Sequence, residues 1–249
     1  MAKYILFDTE TTGASAEDRI IQVGGMIISS RTDVKVYDEL CSTVLPIKLE
    51  AMEVHNITPN LIDGKDVFTS TNFYQQLQEL NNSENYLIAH NIKFDLGMLE
   101  KEGFVNQYTL IDTLRCAKHL YPELSYHRLQ YIRYALELYK TEAQEAKDLN
   151  ITIKAHDAIG DVLIMKLFLR KLVTQCTAQY PDYNPMEKLA ELTRTPVFIN
   201  KFRFGKYKGE EVLNIAKKDS GYLQWMRSNM AELDEDMKYT LDKAIGAIS

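Results

Sequence analysis

The chain has 249 residues, 45% hydrophobic and 26% charged, which is ordinary for a globular protein and enough for one sizeable core with an appendage. Cys41, Cys116 and Cys176 are far apart and odd in number, which argues against a disulfide framework or a CxxC metal clamp and fits a reducing compartment. A net charge of −6 counts against a nucleic-acid partner, unless cations neutralise part of the acid and basic residues gather in local patches.

The opening MAKYILFDTETTG passes from a short apolar run straight into acids, unlike a secretory signal peptide. No stretch approaches the roughly 20 apolar residues of a membrane helix, so a cytoplasmic protein without a membrane partner is expected. Residues 4–7 read as a buried strand, 19–29 as a longer one and 34–44 as a third, together an antiparallel meander. Beyond Pro59, Phe73, Leu77 and Leu80 fall at helical spacing. A strand at 86–89 follows, then a helix over 94–102 closed by Gly103. A strand at 108–111 leads to helical segments at 113–120 and 126–139, and this alternation predicts an α/β layer. Val162, Met165, Leu169 and Leu172 form the stripe of an amphipathic helix over 157–175. Pro181, Pro185 and Pro196 mark a linker carrying one short helix near 186–192, and 201–249 reads as a small helical unit. The expected division is therefore 1–178, a linker at 179–200, and 201–249.

Asp8 and Glu10 are two apart on the first strand, so both carboxylates point to one side and can share a metal ion. Asp95 follows a buried strand, at the sheet edge where α/β folds place ligands, although an acid in a first helical turn also suits the helix dipole. His156 and Asp161 are five apart, a rotation of about 140° on an ideal helix, so they cannot share a face. His156 is therefore expected before the first turn, with Asp157 as the better helix cap.

Asp8-Thr-Glu10-Thr-Thr-Gly13, His90-Asn-Ile-Lys-Phe-Asp95 and His156-Asp-Ala-Ile-Gly-Asp161 resemble, in order, the three exonuclease motifs of the DEDDh (DnaQ-like) family, over roughly residues 1–175. Val54-His55-Asn-Ile-Thr58 is similar to a family segment that approaches the substrate. The resemblance implies a ribonuclease H-like fold, a five-stranded mixed sheet flanked by helices. It implies that Asp8, Glu10, Asp95 and Asp161 hold two divalent cations, Mg2+ or Mn2+, and that His156 deprotonates a water. Hard oxygen ligands suit hard cations, and two ions about 4 Å apart suit an in-line displacement at phosphorus. It further implies that Thr11, Thr12, Gly13, His55, Asn91 and Phe94 meet the substrate. Alternatives for three of these are a turn at Gly13, a helix cap at Asn91 and a core ring at Phe94.

Lys201-Phe-Arg203-Phe-Gly-Lys206-Tyr-Lys208 interleaves cations with aromatics, a mixture suited to nucleic acid, or else a turn docking its rings on a small core. With Tyr222-Leu-Gln-Trp225-Met226 it resembles the C-terminal module of exonuclease X-like proteins. The spacing of Tyr222 and Trp225 favours a core over a binding platform. The reading is a metal-dependent 3′-5′ exonuclease that releases nucleoside 5′-monophosphates from DNA, in repair or proofreading-like trimming. The alternatives are an RNA-trimming exonuclease, a non-catalytic nucleic-acid-binding protein of this fold, and a subunit whose tail binds a protein partner.

Overall fold

A computed structural model describes residues 2–152 and 157–247, which form two compact units, 1–193 and 194–249. Strands β1 (Tyr4–Thr11), β2 (Ile20–Ile28) and β3 (Val34–Leu40) pair antiparallel, and β4 (Tyr86–Ala89) and β5 (Thr109–Asp112) add parallel to β1. Their order is β3-β2-β1-β4-β5, the expected five-stranded mixed sheet. The strand period of two splits the core into two layers. Leu6, Met26, Ile88 and Ile111 face one layer, while Ile5, Phe7, Ile27 and Leu87 face the other.

The first unit carries helices α1 (Leu49–His55), α2 (Pro59–Ile62), α3 (Asn72–Glu79), α4 (Ile92–Lys101), α5 (Thr113–Leu120), α6 (Leu129–Ala135), α7 (Tyr139–Asp148), α8 (Ala158–Gln179) and α9 (Pro185–Arg194). Phe73 and Leu77 of α3 and Met98 and Leu99 of α4 fill one layer, and α8 fills the other. The amphipathic stripe expected for α8 understates its burial. From Ala158 to Leu169 every residue except Asp161 is buried, because β1 and β2 pack on one side and α5, α6 and α7 on others. Lys166 is buried within this helix and is paired with Glu145, which also takes Arg170 at 2.9 Å.

Of the helical segment expected over 126–139 only Leu129–Ala135 is helical, as α6, and Tyr139 already opens α7. Glu137 adopts φ 56°, a left-handed conformation costing a side-chain-bearing residue roughly 1 kcal/mol. The break turns Leu138 into the core. The proline-marked stretch also behaves differently from a free linker. Helix α9 buries Leu189, Ala190 and Leu192 in the same core as α8, so the boundary between the units falls at 193–194. In the second unit α10 (Val212–Lys218), α11 (Ser220–Asn229) and α12 (Glu235–Gly246) enclose a core of their own, including Phe202, Val212, Leu223 and Leu241.

Candidate active site

Two adjacent glycines in β2 let the site assemble. Gly24 pairs with Asp8, and a Cβ there would lie 2.4 Å from the backbone of Ala158 and Ile159, so only glycine admits the first turn of α8 against the sheet. Gly25 pairs with Phe7, and a Cβ there would meet the Phe73 ring at 2.3 Å, on the opposite side. Asp161, in that first turn of α8, is thereby brought to the face of β1 that carries Asp8 and Glu10.

Asp95 arrives from the end of β4. It lies in the first turn of α4, is 3% exposed, and accepts hydrogen bonds from the Thr9 hydroxyl at 2.8 Å and the Thr9 amide at 3.2 Å. Asn91 stands at the N-cap before α4 without a side-chain capping bond; its φ of 75° is left-handed and its amide donates to Asp112 Oδ1 at 3.0 Å. Asp112 also caps α5, accepting from the amide of Leu114 at 2.9 Å. Asp161 accepts from Gln130 Nε2 at 2.6 Å. Gln130 itself lies beside Arg133, which forms a two-pronged pair with buried Glu142 at 2.6 and 3.0 Å.

The acids share one field. Burial first, then Asp95, Asp161 and Glu10, hold the Asp8 carboxyl well above the usual carboxylate range. Burial, then Asp161, Asp95 and Asp157, push Glu10 up to about 8. Burial also raises Asp95, against the Thr9 hydrogen bonds that favour its ionised form. Among the described residues, the charged neighbours that raise Asp8 and Glu10 are other carboxylates. Oxygen donors that are buried or half-buried and mutually repelling fit hard divalent cations, which would relieve both burial and repulsion. Among the described residues no three His, Cys, Asp or Glu side chains are already arranged to hold a metal ion. The carboxylates converge without forming a closed ligand shell.

His156 lies outside the described residues. Helix α8 begins at Ala158 with Asp157 at its N-cap, but the Asp157 side chain makes no capping bond. It accepts instead from Gln22 Nε2 at 2.8 Å, and the same nitrogen donates to Asp38 at 2.8 Å. Gln22 pairs with Glu10 across β1 and β2, so it ties the start of α8 to the acid-bearing strand.

The candidate substrate contacts divide into two groups. Thr12 is fully buried: its hydroxyl donates to Asp18 at 2.8 Å, and its backbone is engaged by Arg19 and Lys48. Burial would raise Asp18, yet bonds from Lys48, Ser15 and Thr12 hold it well below its ordinary value. A Cβ on Gly13 would strike Lys48 at 2.6 Å and Asp18 at 2.8 Å, so this glycine serves close packing. His55 is buried, which lowers its pKa; Nδ1 accepts from the Ile57 amide at 2.9 Å, leaving Nε2 to donate to the Thr11 carbonyl at 3.2 Å. Both ring nitrogens are therefore committed to backbone, and His55 braces Thr11. Asn91 and Phe94 are exposed, Phe94 by 38%, which removes the core reading of that ring. Lys201, Arg203, Lys206 and Lys208 are exposed in the second unit.

Thr9, Gly24, Asp112, Gln22 and Gln130 have no place in the sequence-based set. Two of them left a signal: Gly24, in a glycine pair inside an otherwise apolar strand, and Asp112, an aspartate directly before the helical segment at 113–120.

A family profile described as exonuclease matches residues 5–168, the segment that carries nearly all of β1, the whole of α4 and the first half of α8 with Asp161. The chain belongs to this exonuclease family. It is therefore a hydrolytic nuclease of DnaQ-like type, and enzymes of this family use divalent metal ions. A second profile, described as exodeoxyribonuclease X-like C-terminal, matches 202–230. Exodeoxyribonuclease 10 of Escherichia coli K12 is 27% identical over 241 residues, covering 95% of this chain and 96% of that protein. A PolC-type DNA polymerase III of Listeria innocua is 31% identical over 134 residues, 51% of this chain and 9% of that protein.

Among solved structures, exonuclease X in complex with 5′ overhanging duplex DNA superposes with a TM-score of 0.54 at 19% identity, covering 76% of this chain and 99% of that one. E. coli exonuclease I in complex with a dT13 oligonucleotide gives 0.53 at 20% identity, covering 74% and 43%. These likenesses establish the fold. No helix among the described residues is long and apolar enough to cross a membrane.

Proposed function

We propose that this protein is a 3′-5′ exodeoxyribonuclease that hydrolyses the terminal phosphodiester bond of a DNA strand and releases nucleoside 5′-monophosphates. The observation that carries this reading is the convergence of half-buried Asp8, Glu10 and Asp161 and buried Asp95, from β1, α8 and α4, into one field of mutually repelling carboxylates. The names of the relatives support DNA as substrate, and the polymerase relatives support trimming of ends in repair or proofreading.

The four carboxylates would hold two divalent cations, Mg2+ or Mn2+. When bound, these would neutralise charge on the phosphate and favour ionisation of the attacking water. Asp8 and Glu10 present oxygens from one strand face, Asp95 is oriented by Thr9, and Asp161 by Gln130. His156 would take the proton from water, being the titratable group nearest neutrality in the third motif. Phe94 and Asn91, exposed at the start of α4, would line the terminal nucleotide, while Thr11 and Gly13 shape the turn beside it.

A DNA strand labelled within its 5′ end, incubated with the protein and Mg2+ or Mn2+, should shorten stepwise from its 3′ end, and excess EDTA should stop the reaction. A matched RNA strand should shorten far more slowly. Faster RNA hydrolysis, or cleavage from the 5′ end, would overturn the reading.

A further inference from the structure

In the second unit, Tyr222 is a central pillar. Phe202 and Tyr207 meet its ring edge-on at 6.2 and 5.0 Å, and Trp225, one turn along α11, stacks on it at 6.1 Å with an interplanar angle of 23°. Gly205 presses on the pillar from the preceding loop. Its φ of 77° suits glycine, and a Cβ there would lie 2.6 Å from the Tyr222 hydroxyl. Asp219 accepts from the Tyr207 hydroxyl at 2.7 Å and from Lys206 at 3.1 Å, which fixes the loop to the helix. The small core is thus complete without its outermost rings. Trp225 is 54% exposed and Phe204, beside Gly205, is 39% exposed, contrary to the expectation that the Tyr222–Trp225 pair forms core.

Large rings left in water on a braced support are costly unless something covers them. The local charge indicates what does so. Residues 201–227 contain seven cations, Lys201, Arg203, Lys206, Lys208, Lys217, Lys218 and Arg227, against three acids, in a chain whose net charge is −6. Arg203 and Lys208 are exposed and make no ion pair among the described residues. Exposed rings interleaved with unpaired cations match a single strand of nucleic acid, in which each base offers a stacking face and each phosphate a charge.

We propose that this aromatic and basic face of the second unit, built on Trp225 and Phe204 with Arg203 and Lys208, is a binding site for single-stranded nucleic acid, separate from the candidate active site. The proposal rests on the nuclease reading for its biological sense but not for its geometry. Trp225 is the only tryptophan in the chain, so its own emission reports on the site.

Full-length protein in EDTA, where no strand is degraded, is titrated with oligo-dT of about thirty nucleotides. Saturable quenching of tryptophan emission is expected. Trp225→Ala should weaken binding of labelled strand, read by anisotropy, about tenfold or more. The Arg203→Glu, Lys208→Glu double variant should weaken it similarly and flatten its salt dependence. Both variants should keep the parent melting temperature and its turnover on a dinucleotide. Anisotropy that saturates while emission stays unchanged would overturn the proposal, as would unchanged affinity in both variants. Loss of all hydrolysis with quenching intact would instead sink the exonuclease reading and leave this site standing.

Discussion

Glu10 illustrates what the site imposes on single residues. Its carboxyl, ordinarily near 4.5, is raised to about 8 by burial and then by neighbouring acids. Between those two values the folded protein holds a proton that the unfolded chain has lost. Stability contributed by Glu10 is therefore lost as pH rises through that window. Unfolded histidines are about half neutral at pH 6.5 and nearly all neutral by about pH 7.5, so their partial offset of this loss fades across the upper part of the window. Metal-free protein should melt at progressively lower temperature from about pH 6.5 to 8, and Mn2+ should raise the melting temperature most at the upper end, because binding needs ionised carboxylates. Glu10→Gln should raise the metal-free melting temperature at pH 8 by about 2–4 °C, equivalent to about 1 kcal/mol in a protein of this size, and should blunt the response to Mn2+. A melting temperature that rises with pH in metal-free parent protein would contradict this account.

At the scale of elements, the packing of α8 on β2 decides whether Asp161 meets Asp8. Gly24→Ala places a methyl 2.4 Å from the Ala158 backbone and must displace the start of α8. Overpacking of this kind costs about 1–3 kcal/mol, and a shift of about 1 Å in a catalytic group can cost about 100-fold in rate. Gly25→Ala strikes Phe73 on the opposite layer. Both variants should melt at lower temperature, but only Gly24→Ala should lower kcat by about 100-fold at temperatures where it remains folded. Equal kcat losses in the two variants would show that the effect is general destabilisation.

For the whole molecule, the division at 193–194 changes where the chain can be cut. Ending it after Val173 would remove Cys176, Leu189 and Leu192 from the main core, as well as the Thr193 hydroxyl that accepts from the Asp112 amide at 2.8 Å. Each buried leucine contributes about 1.5–3 kcal/mol. A protein ending after Thr193 should keep a cooperative melt and hydrolyse a dinucleotide normally. One ending after Val173 should melt at least about 10 °C lower or fail to fold, given some 2–4 °C per kcal/mol. Equal melting temperatures for the two truncations would show that α9 adds nothing to the main core.

The strands and the acid-bearing end of β1 are legible in the residues alone. Apolar and β-branched runs located all five strands, and two acids two apart on a strand must share a face. The sequence also marked the ends of α5 closely, since Thr113 to Leu120 is bounded by an aspartate cap and a following tyrosine-proline. Tertiary structure alone decided the rest, because the interactions concerned join residues distant in the chain. Glu137 breaks a helix so that Leu138 can be buried, with no glycine or proline to announce it. Polar roles for Gln22, Thr9 and Gln130 exist only because distant carboxylates come within hydrogen-bond reach. The same holds for His55, whose ring nitrogens are used up on backbone, and for Trp225, whose helical spacing spoke for core but whose face no other element covers within its unit. Spacing fixes which side of an element a residue occupies, and only packing decides what, if anything, lies against it.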